Sequence, residues 1–555
     1  MNSLLSSAIL IALPFASLFG EIKSQILYAQ KSNDVKRAFS LYLKHFSENH
    51  DFQLLESLAT GLLSSGIKSP DIETELLTMY GASLANLHCP LYILESGIVS
   101  SNPYVQAAAI RTLATMQEDG TDQVLMMAMK SPYLMIRIQA AHALSSRGHK
   151  NALGSIESLM RKLPQEAWVF FPDFYARLGT KPATSLLKTL MRSPHTQVRL
   201  SAIYSAAKYK RDELLPTIRA MATHIDYNEQ EMAAFALGTF HDMGSKERLL
   251  ELAQCKDSGV ALAAAFALLS IGDTLGRDII CQHAEKENPF AIALMGHFEE
   301  GKTLLHKLMK SEQMTTRLNT TLTLLKRKDP YAIKGLGEFL FQTPSDLGFH
   351  PVSSKGYALR SWRPFPSLSG RPKEERLELA AISQALREEM LVESLELEES
   401  YFLLIAKKIF DRGEYNLIPV LVNLLENIDS PAALRLLQDE SKRTGAPLTR
   451  AYCNLALYRS GAPHFDEKPF FAWIDKEKNH HMIQFKMEGS TKKNKEPASI
   501  YSLTPEETSR LLVESFTALA SRQDPQSIEV LLRAIAHGHP KNRPVLAGLL
   551  LLAIQ

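Results

Sequence analysis

The chain has 555 residues, 45% hydrophobic and 22% charged, with a formal net charge of only +2. That balance argues against nucleic acid as a partner, because nucleic-acid binders carry a basic stripe that displaces counterions from phosphates. The four cysteines, Cys89, Cys255, Cys281 and Cys453, form no C-x-x-C pair and are irregularly spaced, so they read as small buried hydrophobes and not as a disulfide framework or zinc site.

The chain opens on an apolar run from Leu4 to Phe19, ending at Gly20 and Glu21. It is short for a membrane span, which needs ~20 apolar residues, and fits the apolar core of a secretory signal peptide. Gly20 and Ala16 are small enough to precede a cleavage point, and Pro14 argues against a regular helix. Residues 1–20 are therefore expected to be a signal peptide, which implies an exported protein, periplasmic or envelope-associated. The alternative is an ordinary first helix in a cytoplasmic regulatory subunit. No later segment is long and apolar enough to span a membrane, although Val545 to Ile554 is markedly apolar.

Residues 21–100 read as paired amphipathic helices. A repeat then becomes visible. Ala140-Ala141-His142-Ala143-Leu144, Ala233-Ala234-Phe235-Ala236-Leu237 and Ala264-Ala265-Phe266-Ala267-Leu268 all read A-A-x-A-L, separated by 93 and 31 residues, and 93 is three times 31. The same step places Leu113, in Ala109-Ile110-Arg111-Thr112-Leu113, and Ala206, in Ala202-Ile203-Tyr204-Ser205-Ala206, in register. The copy at Phe171 to Tyr175 is degenerate and contains Pro172. Gly148, Gly179 and Gly272 follow the register position by four residues, as glycine does just past a helix end. Pro132 and Pro194 mark the entry to the second helix of their units. Ile136, Ala140 and Leu144 lie four apart and share one helix face, and small Ala side chains allow close helix packing.

Ser131-Pro132-x-x-x-Ile136-Arg137 and Ser193-Pro194-x-x-x-Val198-Arg199, each followed by the Ala-rich stretch, resemble HEAT repeats, in particular the short bacterial HEAT-like form also found in phycobilisome-lyase relatives. The resemblance implies an all-α solenoid of stacked helix pairs. Gln106, Gln230 and Ala261 replace the family's arginine, and its turn Asp is mostly Ser or absent. The Asp–Arg ladder of regular arrays is therefore expected to be weak.

The array is read over 101–342. Arg317 with Leu324, and Arg450 with Leu457, keep the seven-residue gap between Arg137 and Leu144, so helical repeats are expected again over 374–462. Between them, 343–373 carries Pro344, Pro351, Pro364, Pro366 and Pro372 and is expected to be irregular. Its aromatic and basic side chains suit a binding hot spot, so Tyr357, Arg360, Trp362, Arg363 and Phe365 are candidate partner-binding residues; the alternative is a loop that folds back on the solenoid. A second irregular insertion is read over 463–500, with a short strand suggested where Ile483, Phe485 and Met487 alternate with polar residues, and a solvated cluster at Lys492, Lys493 and Lys495. Residues 501–555 read as capping helices.

No phosphate loop, H-E-x-x-H or G-x-S-x-G motif occurs. S-x-x-K occurs at Ser65, Ser185 and Ser205 without companion motifs. His480-His481 and His537-Gly538-His539 have no further ligand at metal spacing. No catalytic, cofactor-binding or metal residue is assigned, and no cofactor is expected. The expectation is a non-enzymatic scaffold that binds other proteins. The lyase resemblance supplies the alternative of a chromophore- or ligand-handling enzyme, for which Cys255 and Cys281 are the only conceivable nucleophiles.

Overall fold

The computed structural model describes residues 20–85, 88–341, 384–483 and 503–555; among these the regular elements are all helical and no strand occurs. The fold is an all-α solenoid of stacked helix pairs. Pro103, Leu134, Gln165, Thr196, Tyr227, Ser258 and Pro289 open the second helix of successive pairs, each 31 residues after the last. Asn102, Asp226, Asp257 and Asn288 cap four of these helices by accepting backbone N–H groups of their first turns. In the degenerate copy, the second helix is split into a 3-10 turn, Gln165–Phe170, and a short helix, Phe171–Leu178, with Pro172 at the break.

The helix exits keep the same period. Gly148, Gly179, Lys210, His241 and Gly272 are all left-handed, again 31 residues apart. Glycine is free to adopt this conformation, whereas Lys210 and His241 are not. Both offset the strain through their side chains. Lys210 Nζ donates to Thr239 O, and His241 Nδ1 lies 2.9 Å from Ser270 O. Thr239 and Ser270 end the following second helices, so each side chain supplies a donor to a carbonyl that helix geometry leaves unpaired.

Two ladders join the pairs. The first starts at the fourth residue of the second helix. Gln106 Nε2 donates to Ser100 O at 2.6 Å, Arg199 Nη1 to Ser193 O at 2.7 Å and Arg317 Nη1 to Ser311 O at 2.8 Å; Gln230 does the same to His224 O. Each bond reaches back six residues to the turn between paired helices. Glutamine therefore keeps the backbone half of the ladder that the arginine-to-glutamine changes were expected to weaken. The ionic half uses glutamate: Arg199 pairs with buried Glu229, and Arg317 Nη2 with Glu338 at 2.6 Å. The second ladder lies on the first helices. Arg219 pairs with Asp242 at 2.5 Å, Lys246 with Asp273 at 2.9 Å, and Lys302 and His306 with Asp329 at 3.1 and 3.0 Å. Asp242 and Asp273 are held below the usual carboxylate range, chiefly by hydrogen bonds from Arg219 and Lys246. Burial pushes Asp329 up, but the Tyr331 N–H, His306 and Lys302 together bring it down.

The chain forms two compact units, one made of residues up to Arg147 together with those from Asp429 onward, the other of Gly148–Ile428. The boundary falls inside the stretch read as one array, because a register that runs on along the chain does not reveal which pairs share a core. In the first unit, Arg543–Ala553 packs on Phe52–Gly66 and Ile72–Ala85, and Pro525–His537 packs on Val35–Phe46. Residues 501–555 thus do more than close one end of a stack. Arg543–Ala553 is buried nearly all round, with Val545, Leu546, Leu549, Leu550 and Leu551 each 2% exposed or less. The crossing depends on Gly81 and Gly548, where a methyl group on either would overlap the opposing backbone. Lys541 also pairs with Glu73. The insertion read over 463–500 contributes a regular helix, Lys468–Glu477. Phe470, Trp473, Ile474 and Glu477 are buried along it, a spacing that gives it an inward face.

Two outcomes follow from this packing. Gly548→Val is expected to cost about 3 kcal/mol by forcing a backbone apart, read as a lower urea midpoint and new protease cuts after residue 520; Gly148→Ala, in open space, is expected to cost only ~1 kcal/mol. Because the folded Asp242, Asp273 and Asp329 titrate below the unfolded value of ~3.9, their contribution is complete above that value and is lost as pH falls through the lower folded values. Thermal melts should therefore show a falling midpoint only on the acid side of pH ~4, with a shallower fall in Asp242→Asn.

Candidate functional site

The repeat fixes the small residues of the second helix and leaves the x of A-A-x-A-L free. That position is occupied in turn by Arg111, His142, Asp173, Tyr204, Phe235, Phe266 and His297, all in the 31-residue register. The second unit contains the last five. The helices Thr196–Lys208, Tyr227–Thr239 and Ser258–Ser270 pack side by side, and their x side chains form a row of half-buried rings.

Tyr204 and Phe235 stack with centroids 6.1 Å apart and planes inclined by 11°. Phe235 and Phe266 repeat this at 6.4 Å and 15°. His297 ends the row edge-on to Phe266 at 5.2 Å and 66°. Its Nε2 lies 3.0 Å from Lys326 Nζ, so a neutral imidazole accepts from the ammonium group. At the other end Asp173, held low despite burial by Arg177 and Lys208, also accepts from the Tyr209 hydroxyl at 3.0 Å. An aromatic strip thus runs across successive helices from the Asp173 ion-pair cluster to the His297–Lys326 contact. The spacing was visible in the sequence, but only in the variable letter of the motif.

The partner-binding residues expected from sequence, Tyr357, Arg360, Trp362, Arg363 and Phe365, lie outside the described residues, as do Phe485, Met487, Lys492, Lys493 and Lys495. The histidine pairs converge. His480 Nε2 lies 2.9 Å from Glu477 Oε2, both buried, and His481 meets His539 edge-on at 3.9 Å. Burial and then the neighbouring His481 push His539 down to about 4, so it is neutral near pH 7. Among the described residues no group of three or more His, Cys, Asp or Glu is placed to hold a metal ion. Burial pushes the Cys89 thiol up to about 12 and raises Cys281 and Cys453 as well, the opposite of what an activated thiolate requires. Ser205 is buried, and Lys208, its partner in the S-x-x-K stretch, pairs with Asp173 at 3.3 Å.

Among the described residues no helix is long and apolar enough to cross a membrane. No curated protein matches the chain. Among solved structures, a crystal structure of Kap121p is similar with a TM-score of 0.33 and 15% identity over 93% of this chain and 59% of that one. A Kap121p mutant gives 0.32 and 14%, over 93% and 58%. A structure concerning a phosphorylation switch in the interaction between cadherin and beta-catenin gives 0.20 and 14%, over 90% and 97%. The chain therefore spans less than two thirds of the Kap121p chains. The family described as HEAT repeats matches residues 92–166 and 183–269. Those stretches hold the second helices opened by Pro103, Leu134, Thr196, Tyr227 and Ser258 and the left-handed exits Gly148, Lys210 and His241, and they are HEAT repeats.

Proposed function

We propose that the protein is a non-catalytic scaffold that binds an extended segment of another protein along the strip Tyr204, Phe235, Phe266 and His297. The observation that carries this is the ring spacing. Alternate side chains on one face of an extended chain are ~6.6 Å apart, and successive rings are 6.1 and 6.4 Å apart. A peptide crossing the helices would set one side chain against each ring, and aromatic anchors of this kind dominate binding energy. Stacked repeats supply such extended surfaces. The aromatic and basic segment 343–373, with Tyr357, Arg360, Trp362, Arg363 and Phe365, is proposed as a further contact, supported by its composition. Export to the periplasm or envelope is proposed on the apolar run Leu4–Phe19. The chromophore- or ligand-handling alternative gains nothing from Cys281, whose thiol is raised by burial.

Random dodecamer peptides selected on the full chain should carry apolar residues at alternate positions. Replacing Phe235 and Phe266 together by Ser should weaken their binding at least tenfold while helicity is retained. Peptides that bind the double variant unchanged would remove the strip from the function. For export, mass spectrometry of the protein from its native cell should find a mature N-terminus at or near Glu21; an intact Met1 or Asn2 would place the protein in the cytoplasm.

A further inference from the structure

The first unit holds a cavity of about 730 Å³ among the helices Pro431–Ser441, Pro447–Arg459, Lys468–Glu477 and Pro505–Arg522. Its size falls within the range of small-molecule sites. Phe465, Phe470 and Trp473 supply aromatic walls, and Arg450, Asn454 and Ser515 supply polar groups. Lys442 and Asp466 also border it and offset each other in charge.

The polar groups are unusual in what they leave unmade. Trp473 is 6% exposed and Ser515 0%, yet among the described residues neither the indole Nε1 nor the Ser515 Oγ has a hydrogen-bond partner. Buried donors are nearly always satisfied in native proteins, and each exception calls for a reason. A serine within a helix ordinarily returns its proton to the carbonyl four residues back. Thr517 and Ser521 of the same helix do this, at 2.8 and 3.0 Å; Ser515 does not. Arg450 is the fourth residue of its helix, the place that Arg199 and Arg317 hold in theirs. Those two bond a turn carbonyl and pair with a glutamate, whereas among the described residues the Arg450 side chain has no ion pair or hydrogen bond. Three donors, one of them cationic, thus line one cavity with aromatic walls.

We infer that this cavity is a binding site for a small apolar organic anion, its aromatic or acyl body against Phe465, Phe470 and Trp473 and its carboxylate or sulfonate on Arg450, with Ser515 and Trp473 donating to acceptor atoms. Charge-assisted bonds of this kind are the strong ones. The assignment is independent of the aromatic strip in the second unit, and either can fail without the other.

The test uses the full chain and 8-anilinonaphthalene-1-sulfonate, an aromatic body with one anionic group. Its fluorescence should rise in a saturable titration with one site per chain, and Arg450→Gln should weaken binding about tenfold with an unchanged melting temperature. Arg510→Gln, at an exposed ion pair outside the cavity, serves as the control and should bind as wild type. Ser515→Ala separates the roles: a structural hydroxyl would lower the melting temperature on removal, while a ligand-facing one leaves it unchanged or higher and weakens the probe. Competition then sorts the natural class: displacement by dodecanoate favours an acyl chain, displacement by benzenesulfonate alone favours an aromatic anion. Unsaturable binding, or binding equally strong in Arg450→Gln, overturns the assignment, as does a Ser515→Ala protein that is destabilised yet binds the probe unchanged.

Discussion

The close approach of neighbouring second helices is the contact on which the rest of the array depends. It requires small side chains at fixed places. A Cβ on Gly238 would lie 2.6 Å from Ala267 Cα, and Ala233, Ala234, Ala236, Ala263, Ala264, Ala265 and Ala267 are all buried beside it. At this separation the helices bury almost their whole circumference, so apolar stripes of ordinary width are not needed. Tyr227–Thr239 buries Glu229, Gln230 and Glu231 along with its alanines. Buried polar groups of that kind are tolerated when they are paired, and Glu229 and Gln230 belong to the ladder that holds the turns. The spacing imposed by Ala and Gly therefore fixes where the ladder groups must sit, and the ladder fixes the turns.

The same contact accounts for what varies. Most residues packed between neighbouring second helices are small or apolar, whereas the x position is never fully buried and is free to differ. It runs from Arg111 through His142 and Tyr204 to Phe266 on unbroken second helices, and to Asp173 in the copy split at Pro172. Where three successive x residues are aromatic, rings a helix spacing apart come within stacking distance. A surface with a repeating geometry and a non-repeating chemistry is thus a direct result of the way the core is packed.

Much of this was legible in the sequence, because nearest-neighbour packing leaves a periodic trace. The 31-residue step, the glycine exits at 148, 179 and 272 and the break at Pro172 all stand in the letters. Lys210 and His241 do not, since their left-handed conformation is supported by carbonyls of the next pair and not by the residue itself. Gln106 and Gln230 lack the arginine charge but reach the same turn carbonyl, a contact that the residue type alone does not reveal. The helix Lys468–Glu477 sits among prolines and lysines whose composition resembles a loop, although Phe470, Trp473 and Ile474 had the spacing of a helix face. The Gly81–Gly548 crossing left no sign at all, because two glycines so far apart in sequence create no local pattern.

That crossing distinguishes the first unit from the second. In the second unit contacts join elements close in sequence, and such structure can form progressively as the chain lengthens. In the first, Ile72–Ala85 and Phe52–Gly66 lay much of their apolar surface against Arg543–Ala553. Until the last helix exists, Leu55, Leu58, Leu77 and Met79, each no more than 1% exposed in the folded unit, lack part of their cover, and loop closure over the intervening residues opposes the contact. Long-range pairing of this sort slows folding and leaves apolar surface open meanwhile. Residues 52–85 and 543–553 are consequently a cooperative element whose stability is decided by one backbone-to-backbone approach, whereas damage to a single helix pair in the second unit is confined to its neighbours.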